Sequence, residues 1–305
     1  MLNVDDSLHS FYFRDPPILH APVLPIPGQR SQEAKDSGSW VPTPPKYMRQ
    51  TFSTFCQFWT LAQEIAVLYL GKCERTLAER VPLSFAESKY QKLLAWTNTI
   101  AESMALNDHS PAHVMIFHMV IRMFYPFIQG TAAYSHQKLH SFSSDDSSAT
   151  AIITASLNQL KRLALLFQKR HPSRMWAILV NPPLVQLGDV MLNRRLRHGP
   201  DRRLYFLLCL RTWIEMYQSY AVCWDVAKGF LSRAMRDGVM SSVEAKELMT
   251  ELLRRGVHHK VPEQAMSSIV IDYDLAEGNL EVARVKVLAE RFDELALYDE
   301  FTTGT

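Results

Sequence analysis

Histidines and cysteines are the residue types in this chain that could bind a metal ion or act in nucleophilic or acid–base catalysis. There are 11 histidines among 305 residues, and His109 and His113 have the four-residue spacing that can place two metal ligands on one helical face. Pro111 lies between them and is typical of a helix start, so we expect His109 to lie outside the helix. The glutamate of an H-E-x-x-H motif is missing. The spacing therefore favours surface or interhelical histidines over a metal site.

Nucleophile and cofactor motifs are missing from the sequence as well. The four cysteines lie far apart, which favours reduced thiols of an intracellular protein over a disulfide framework or a zinc site. They are Cys56, Cys73, Cys209 and Cys223. No G-x-S-x-G, P-loop or G-x-G-x-x-G motif occurs, and the pair Asp145-Asp146 lies in a serine-rich segment. The sequence therefore predicts no catalytic residue, no cofactor, no bound metal and no enzymatic activity.

One short segment is strongly basic, although the formal net charge of the chain is only +2. Within residues 194–203, five arginines accompany a single aspartate; they are Arg194, Arg195, Arg197, Arg202 and Arg203. Such a cluster could contact phosphate groups or act as a nuclear-import signal. A solvated turn between two helices has the same composition, so the sequence leaves both interpretations open.

The N-terminal segment differs in composition from the rest of the chain. Eight of the 16 prolines fall within residues 1–48, and each of them fixes φ and removes a backbone donor. We therefore expect a proline-rich, irregular arm, which apolar side chains such as Phe11 could hold against a helical surface. The first residues have neither the basic flank nor the apolar stretch of a signal peptide.

Apolar residues recur at three- and four-residue spacing through most of residues 49–302, which predicts one large helical domain. The serine-rich segment 135–149 divides it into an N-terminal half, 49–134, and a C-terminal half, 150–302. Residues 268–272 are the only stretch with strand character. The predicted fold class is all-α, an irregular multi-helix bundle of about eight helices.

Individual residues predict where several helices begin and end. Residues 84–87 and 241–244 each begin with serine and end with glutamate, which is the capping-box pattern of a helix N-terminus. Pro126 is expected to stop or kink the third helix, and Pro182-Pro183 to interrupt a later one. A single apolar helix is predicted over about 201–236, where charged residues make a membrane span improbable and a core helix the better interpretation.

One of these helices carries a resemblance to a known family. The run PAHVMIFHMVIRMFYPFI, residues 111–128, resembles a helix of the fungal-specific transcription factor domain, the middle homology region of Zn2Cys6 regulators. It matches the family's motif at His113, Pro126 and Phe127. Tyr125 and Ile116 stand where the family usually has arginine and tyrosine.

The C-terminal third resembles the corresponding helices of nitrate-assimilation-type regulators of the same family. The similar segments occur in the family's order, and they are residues 207–211, 227–231, 234–238 and 244–249. The ending FDELALYDEFT, residues 292–302, is similar to the acidic and aromatic tail of those proteins. Together the resemblance covers about residues 50–302.

The resemblance implies a regulatory or effector domain located in the nucleus. It would act through contacts with an effector, with proteins of the transcription machinery or with a second copy of itself. The six-cysteine cluster that holds two zinc ions and enters the major groove in this family is missing here. DNA binding is therefore expected only if the chain is joined to such a cluster, and we expect a fragment, a truncated gene product or a paralogue that lost this module.

Two other classes of protein remain as alternatives. A helical enzyme or accessory protein of a biosynthetic cluster would need an aspartate-rich metal motif on a helix or a site that combines histidine with carboxylates. A helical-repeat scaffold would show a recurring 34-residue period, which this sequence lacks.

Overall fold

The structure is a computed structural model that describes residues 10–13, 49–70, 81–129, 139, 148–171, 178–193, 201–217, 219–253 and 268–302. Within these ranges it contains helices and no strand, which confirms the all-α prediction. The chain divides into two compact units, Met1–Gln159 and Leu160–Thr305. No helix in the described part of the chain is long and apolar enough to cross a membrane.

The first unit contains three long helices and the beginning of a fourth. These are α1 (Arg49–Leu70), α2 (Leu83–Thr97), α3 (Ala112–Gln129) and the first part of α4 (Ala149–Arg170). A 3-10 turn, Glu102–Met104, lies between α2 and α3. The apolar residues of α1 recur at helical spacing, so one face of this helix is buried, as the sequence predicts.

Helix α3 packs against both α1 and α2 and forms the centre of the first unit. It is buried on nearly all sides from Val114 to Phe124, because almost every residue in that stretch is apolar. Phe124 makes edge-to-face contacts with Phe58 and Trp59 of α1, at ring distances of 5.0 and 5.6 Å. Phe11 from the N-terminal segment is also buried, with its ring 4.5 Å from that of Phe124.

One predicted helix cap in this unit is wrong, and one helix continues past the proline at which the sequence predicts a stop or a kink. Helix α2 begins at Leu83 with Pro82 in the N-cap position, so Ser84 lies inside the first turn and does not cap the helix. Helix α3 does not stop at Pro126 but continues to Gln129. Proline removes the amide that would bind the carbonyl four residues earlier, that of Arg122. The Ser156 hydroxyl of α4 donates a 2.9 Å hydrogen bond to this carbonyl and takes the place of the missing bond.

The second unit begins with the remainder of α4 and continues through α5 (Asn181–Leu192), α6 (Arg202–Tyr217) and α7 (Val222–Arg236). Pro182 and Pro183 lie in the first turn of α5 and begin the helix instead of interrupting it, because the first amides of a helix have no partner within it. A 3-10 turn, Ile178–Val180, precedes them.

The predicted continuous helix over 201–236 is also wrong, because α6 ends at Tyr217 and α7 begins at Val222. In one straight helix, residues 213 and 230 would lie about 25 Å apart along the axis. The break instead lets α6 and α7 pack side by side, with the rings of Trp213 and Phe230 stacked 4.5 Å apart and only 15° from parallel. Burial of both aromatic side chains favours this arrangement over a single long rod.

The rest of the second unit contains α8 (Ser242–Leu253), α9 (Tyr273–Gly278), a 3-10 turn at Glu281–Ala283 and α10 (Val285–Thr302). Helix α7 ends at Arg236, and Gly238 in the turn that follows has a φ of 67°, the left-handed conformation that glycine adopts without strain. The Ser241 hydroxyl accepts a 3.2 Å bond from the amide of Glu244, so Ser241 caps α8 as predicted. Residues 268–272 form one isolated antiparallel bridge, between Val270 and Arg284, and no strand.

Candidate functional site

A cluster of buried charges lies where α5, α7 and residues 271–274 meet. The guanidinium of Arg233 on α7 is only 1% exposed and donates a 2.5 Å bond to the Asp189 carboxylate of α5. Its Nη1 also donates to the carbonyl of Ile271 at 3.0 Å, and its Nε lies 3.4 Å from a carboxylate oxygen of Asp272. Arg233 on α7 therefore joins the Asp189 carboxylate of α5 to a carboxylate and a backbone carbonyl of residues 271–272.

The two carboxylates of this cluster also bind backbone amides. Asp189 accepts a 3.2 Å bond from the amide of Tyr273. Asp272 is fully buried and caps α9 by accepting a 3.0 Å bond from the Leu275 amide, and it also accepts from Arg236 at 2.8 Å. Segment 271–274 is thus held to α5 and α7 by charge-assisted hydrogen bonds, the strongest class of hydrogen bond in proteins.

The pKa shifts in the cluster agree with a structural role. Burial by itself would lower the pKa of Arg233, but the neighbouring carboxylates of Asp189 and Asp272 outweigh it and raise the pKa. Burial raises the pKa of Asp189, and the Arg233 guanidinium opposes that rise. An arginine with a raised pKa does not exchange protons near neutral pH. Arg233 therefore stays charged and is suited to holding these segments of the fold together.

The sequence did not single out this cluster, although a signal for it was present. Asp189 follows Leu187 and Gly188 within an almost entirely buried helix, and Arg233 lies in the apolar run that ends α7. A charged residue at a core position of a helix requires a partner of opposite charge. The position of that partner depends on how distant segments meet, and periodicity does not reveal it.

The histidines occupy different environments from one another. His109 lies in a turn before α3, as predicted, and His113 is exposed in the first turn of that helix. His118 is buried, and its Nε2–H donates a 2.9 Å bond to the carbonyl of Met104. Among the described residues, no group of three or more histidine, cysteine, aspartate or glutamate side chains could hold a metal ion.

The three family-motif residues all lie in α3. His113 is near its beginning, and Pro126 and Phe127 are in its last turns. Pro126 lacks the amide that would bind the Arg122 carbonyl, and this carbonyl accepts a hydrogen bond from Ser156. The motif therefore coincides with the helix at the centre of the first unit.

The predicted basic patch is described in part. Arg194, Arg195 and Arg197 lie outside the described residues. Arg202 binds the end of α5, where its Nη2 donates to the Leu192 carbonyl at 2.8 Å and its Nε to that of the preceding residue. Arg203 is exposed and forms an ion pair with Glu244 of α8.

Two of the cysteines are buried thiols. Burial raises the pKa of Cys223 to about 12 and also raises the pKa of Cys209. Because the thiolate is the nucleophilic form, neither side chain is reactive at neutral pH. Cys56 is partly buried. Cys73 and the pair Asp145-Asp146 lie outside the described residues.

A groove of about 350 Å³ lies between α7 and α10 in the second unit. It is lined by Ser232, Arg233 and Arg236 of α7 and by Leu288, Arg291, Glu294 and Leu295 of α10. A helical enzyme that holds metal ions needs several carboxylates around its cavity. The lining of this groove contains one carboxylate and three guanidinium groups.

The geometry therefore defines an all-α protein with two helical units, a buried ion cluster and one arginine-lined groove in the second unit. Comparison with known proteins adds no relative: no family model matches the chain, and no curated protein or solved structure is significantly similar to it.

Proposed function

We propose that this chain is a regulatory or effector domain of a fungal Zn2Cys6-type transcription regulator. It would act in the nucleus through contacts with other proteins or with an effector. It would not read DNA itself, because the six-cysteine cluster that does so in the family is missing from its sequence.

The observation that carries the proposal is the position of the motif that resembles the family. Residues 112–129 form one helix that packs on two neighbours and buries its apolar residues from Val114 to Phe124. Such a motif specifies a helical core, and the surface of the domain can then differ from one family member to another. This agrees with a family whose members share a helical body and regulate different genes.

A reporter assay tests the regulatory role directly. The full chain is fused to an unrelated DNA-binding domain and recruited to a reporter promoter in fungal cells. We expect reporter expression to rise or fall relative to the DNA-binding domain alone. The matched control is Val120→Asp, which places a charge in the centre of the first unit, where Val120 is fully buried, and should abolish the effect. A reporter that responds identically to the native fusion, the variant and the DNA-binding domain alone would refute the proposal.

A binding experiment tests the claim that the chain lacks its own DNA reader. The purified chain is titrated with a duplex that contains CGG half-sites at physiological salt, and with a scrambled duplex as the control. We expect equal and weak binding to both, since contacts to phosphate groups alone carry no sequence preference. Nanomolar, CGG-dependent binding would show that the chain does read DNA.

The basic patch offers a test of the nuclear location. Arg202 and Arg203 are held by contacts within the chain, so an import receptor would have to bind mainly Arg194, Arg195 and Arg197. Replacing these three residues with alanine should move a fluorescent fusion from the nucleus to the cytoplasm. If nuclear fluorescence is unchanged, the patch is not the import signal.

A further inference from the structure

We infer that the groove between α7 and α10 binds a small organic anion that joins a carboxylate to an apolar chain or ring. This inference concerns a site of the second unit and does not depend on the proposed role in transcription. The volume of about 350 Å³ lies at the lower end of the range of small-molecule pockets, roughly 300–1,000 Å³.

The walls of the groove carry guanidinium groups from both helices. Arg236 on α7 and Arg291 on α10 both line the groove, and Arg233 lies beneath them with its charge committed to Asp189 and Asp272. Among the described residues of the lining, only Glu294 carries a carboxylate. Arg236 shares its charge with Asp237 and Asp272, so the groove offers guanidinium donors to an anion and not an uncompensated positive charge.

One of these guanidinium groups, that of Arg236, is held in place by hydrogen bonds. Arg236 donates from Nε and Nη2 to Asp237 and from Nη2 to the buried Asp272, at distances of 2.8 to 3.3 Å. Within the described part of the chain its Nη1 amino group has no partner, and Arg291 has no carboxylate within ion-pair distance. A guanidinium fixed by carboxylates behind it loses little conformational freedom when it binds a carboxylate in front.

The lining of the groove also has an apolar part. Leu288 and Leu295 lie on the same face of α10 as Arg291, and Leu295 remains 46% exposed. A ligand that covers Leu295 removes apolar surface from water, which stabilises the complex in proportion to the area covered. A purely inorganic anion gains nothing from this contact, so the site is suited to an amphiphilic ligand.

Binding is tested on the full chain with three probes that separate charge from apolar contact. Octanoate has both properties, 1-octanol has the same chain without the charge, and acetate has the charge without the chain. Calorimetric titration or ligand-observed NMR should show saturable binding of octanoate to one site. The affinities of 1-octanol and acetate should be lower by about tenfold or more, the effect of losing one charge-assisted hydrogen bond or a comparable apolar contact.

Variants of the groove assign the binding to its residues. Arg291→Glu should weaken octanoate binding about tenfold or more. Arg211→Glu is the matched control, because Arg211 is an exposed arginine of α6 outside the groove, and it should bind octanoate like the native chain. Glu294→Gln should bind octanoate more tightly, since it removes a like charge, and a gain of affinity cannot arise from unfolding.

The inference is overturned by any of three results. These are no saturable binding of octanoate, equal affinity for octanoate and 1-octanol, and unchanged affinity in a folded Arg291→Glu variant. Circular dichroism establishes that the variants retain native helical content. None of these outcomes bears on the reporter assay, so this inference and the proposed function can fail separately.

Discussion

The hydroxyl of Ser156 on α4 donates a 2.9 Å hydrogen bond to the backbone carbonyl of Arg122 on α3. This carbonyl would bind the amide of residue 126 in an uninterrupted helix, but residue 126 is proline. Ser156, only 4% exposed, supplies a hydrogen-bond donor to this part-buried carbonyl from a neighbouring helix. The helix therefore passes through a proline because tertiary contact replaces the bond that proline removes.

This relationship predicts that the loss of unfolding free energy caused by removing the Ser156 hydroxyl depends on the presence of Pro126. Ser156→Ala should lower the free energy of unfolding by about 0.5–1.5 kcal/mol, because it removes the hydroxyl that donates to the part-buried Arg122 carbonyl. In a Pro126→Ala background the amide of residue 126 becomes available, and the same substitution should cost much less. Urea unfolding of the four proteins measures the difference. Thr99→Ala is the control, because the exposed Thr99 hydroxyl also binds a backbone carbonyl. Equal losses of unfolding free energy from Ser156→Ala in the two backgrounds would contradict the prediction.

The Arg233–Asp189 pair predicts a large and non-additive loss of stability. Removal of one partner, by Arg233→Met or Asp189→Leu, leaves a buried charge uncompensated and should cost about 3–5 kcal/mol. The double variant should cost less than the sum of the two by about 1–3 kcal/mol. Urea unfolding of a double-mutant cycle measures this coupling. The exposed pair Lys228–Asp293 provides the comparison, with an expected coupling below about 1 kcal/mol, and equal couplings would refute the structural role of the cluster.

Two helical glycines differ in the space around them and should differ in their response to alanine. A Cβ at Gly188 would lie 2.8 Å from the ring of Trp213 and 3.0 Å from that of Phe230, and these rings are stacked and fully buried. Gly188→Ala should therefore destabilise the protein by about 1–3 kcal/mol. Gly278→Ala meets no atom within 4 Å and should be neutral or slightly stabilising. Thermal unfolding measures both, and a stabilising Gly188→Ala would show that the Trp213 and Phe230 rings can move apart.

His118 predicts a dependence of stability on pH in mildly acidic solution. Burial lowers the pKa of His118 below its usual value of 6.5, so the folded protein keeps the imidazole neutral where the unfolded chain binds a proton. Stability is therefore unaffected by this group above about pH 6.5 and falls as the pH decreases below it, by up to about 1.4 kcal/mol per pH unit. His118→Gln, which retains a donor for the Met104 carbonyl, should remove this part of the pH dependence.

Unfolding free energies measured between pH 8 and pH 5 provide the test. His113→Gln is the matched control on the same helix, because the exposed imidazole of His113 stays in water in both states. The control should follow the native profile. If His118→Gln follows it as well, protonation of His118 does not contribute to the acid sensitivity.

The two neighbouring arginines at the start of α6 predict unequal effects on stability. Arg202 donates to the last carbonyls of α5, so Arg202→Ala should lower the free energy of unfolding by about 1.5–3 kcal/mol. Arg203 is exposed and paired with Glu244, and Arg203→Ala should cost less than about 1 kcal/mol. Urea unfolding of the two variants, each the control of the other, tests this. Equal costs would mean that Arg202 does not secure the end of α5.

The sequence alone predicted the features that depend on neighbours along the chain. The apolar periodicity predicted the all-α class and the buried face of α1, and a local pattern predicted the cap that Ser241 provides for α8. The expected place of His109 before α3 is also confirmed. These features can be predicted because a helix is formed by bonds between residues three or four positions apart, and caps act over the same distance.

Only the tertiary structure decided the features that join distant parts of the chain. The break between Tyr217 and Val222 follows from the packing of α6 on α7, and the passage of α3 through Pro126 follows from the hydroxyl of Ser156. Arg233 meets its carboxylate Asp189 across 44 residues of sequence. Hydrogen bonds and ion pairs form wherever folding brings donor and acceptor together, so their partners depend on the packing of whole helices and not on the spacing of residues.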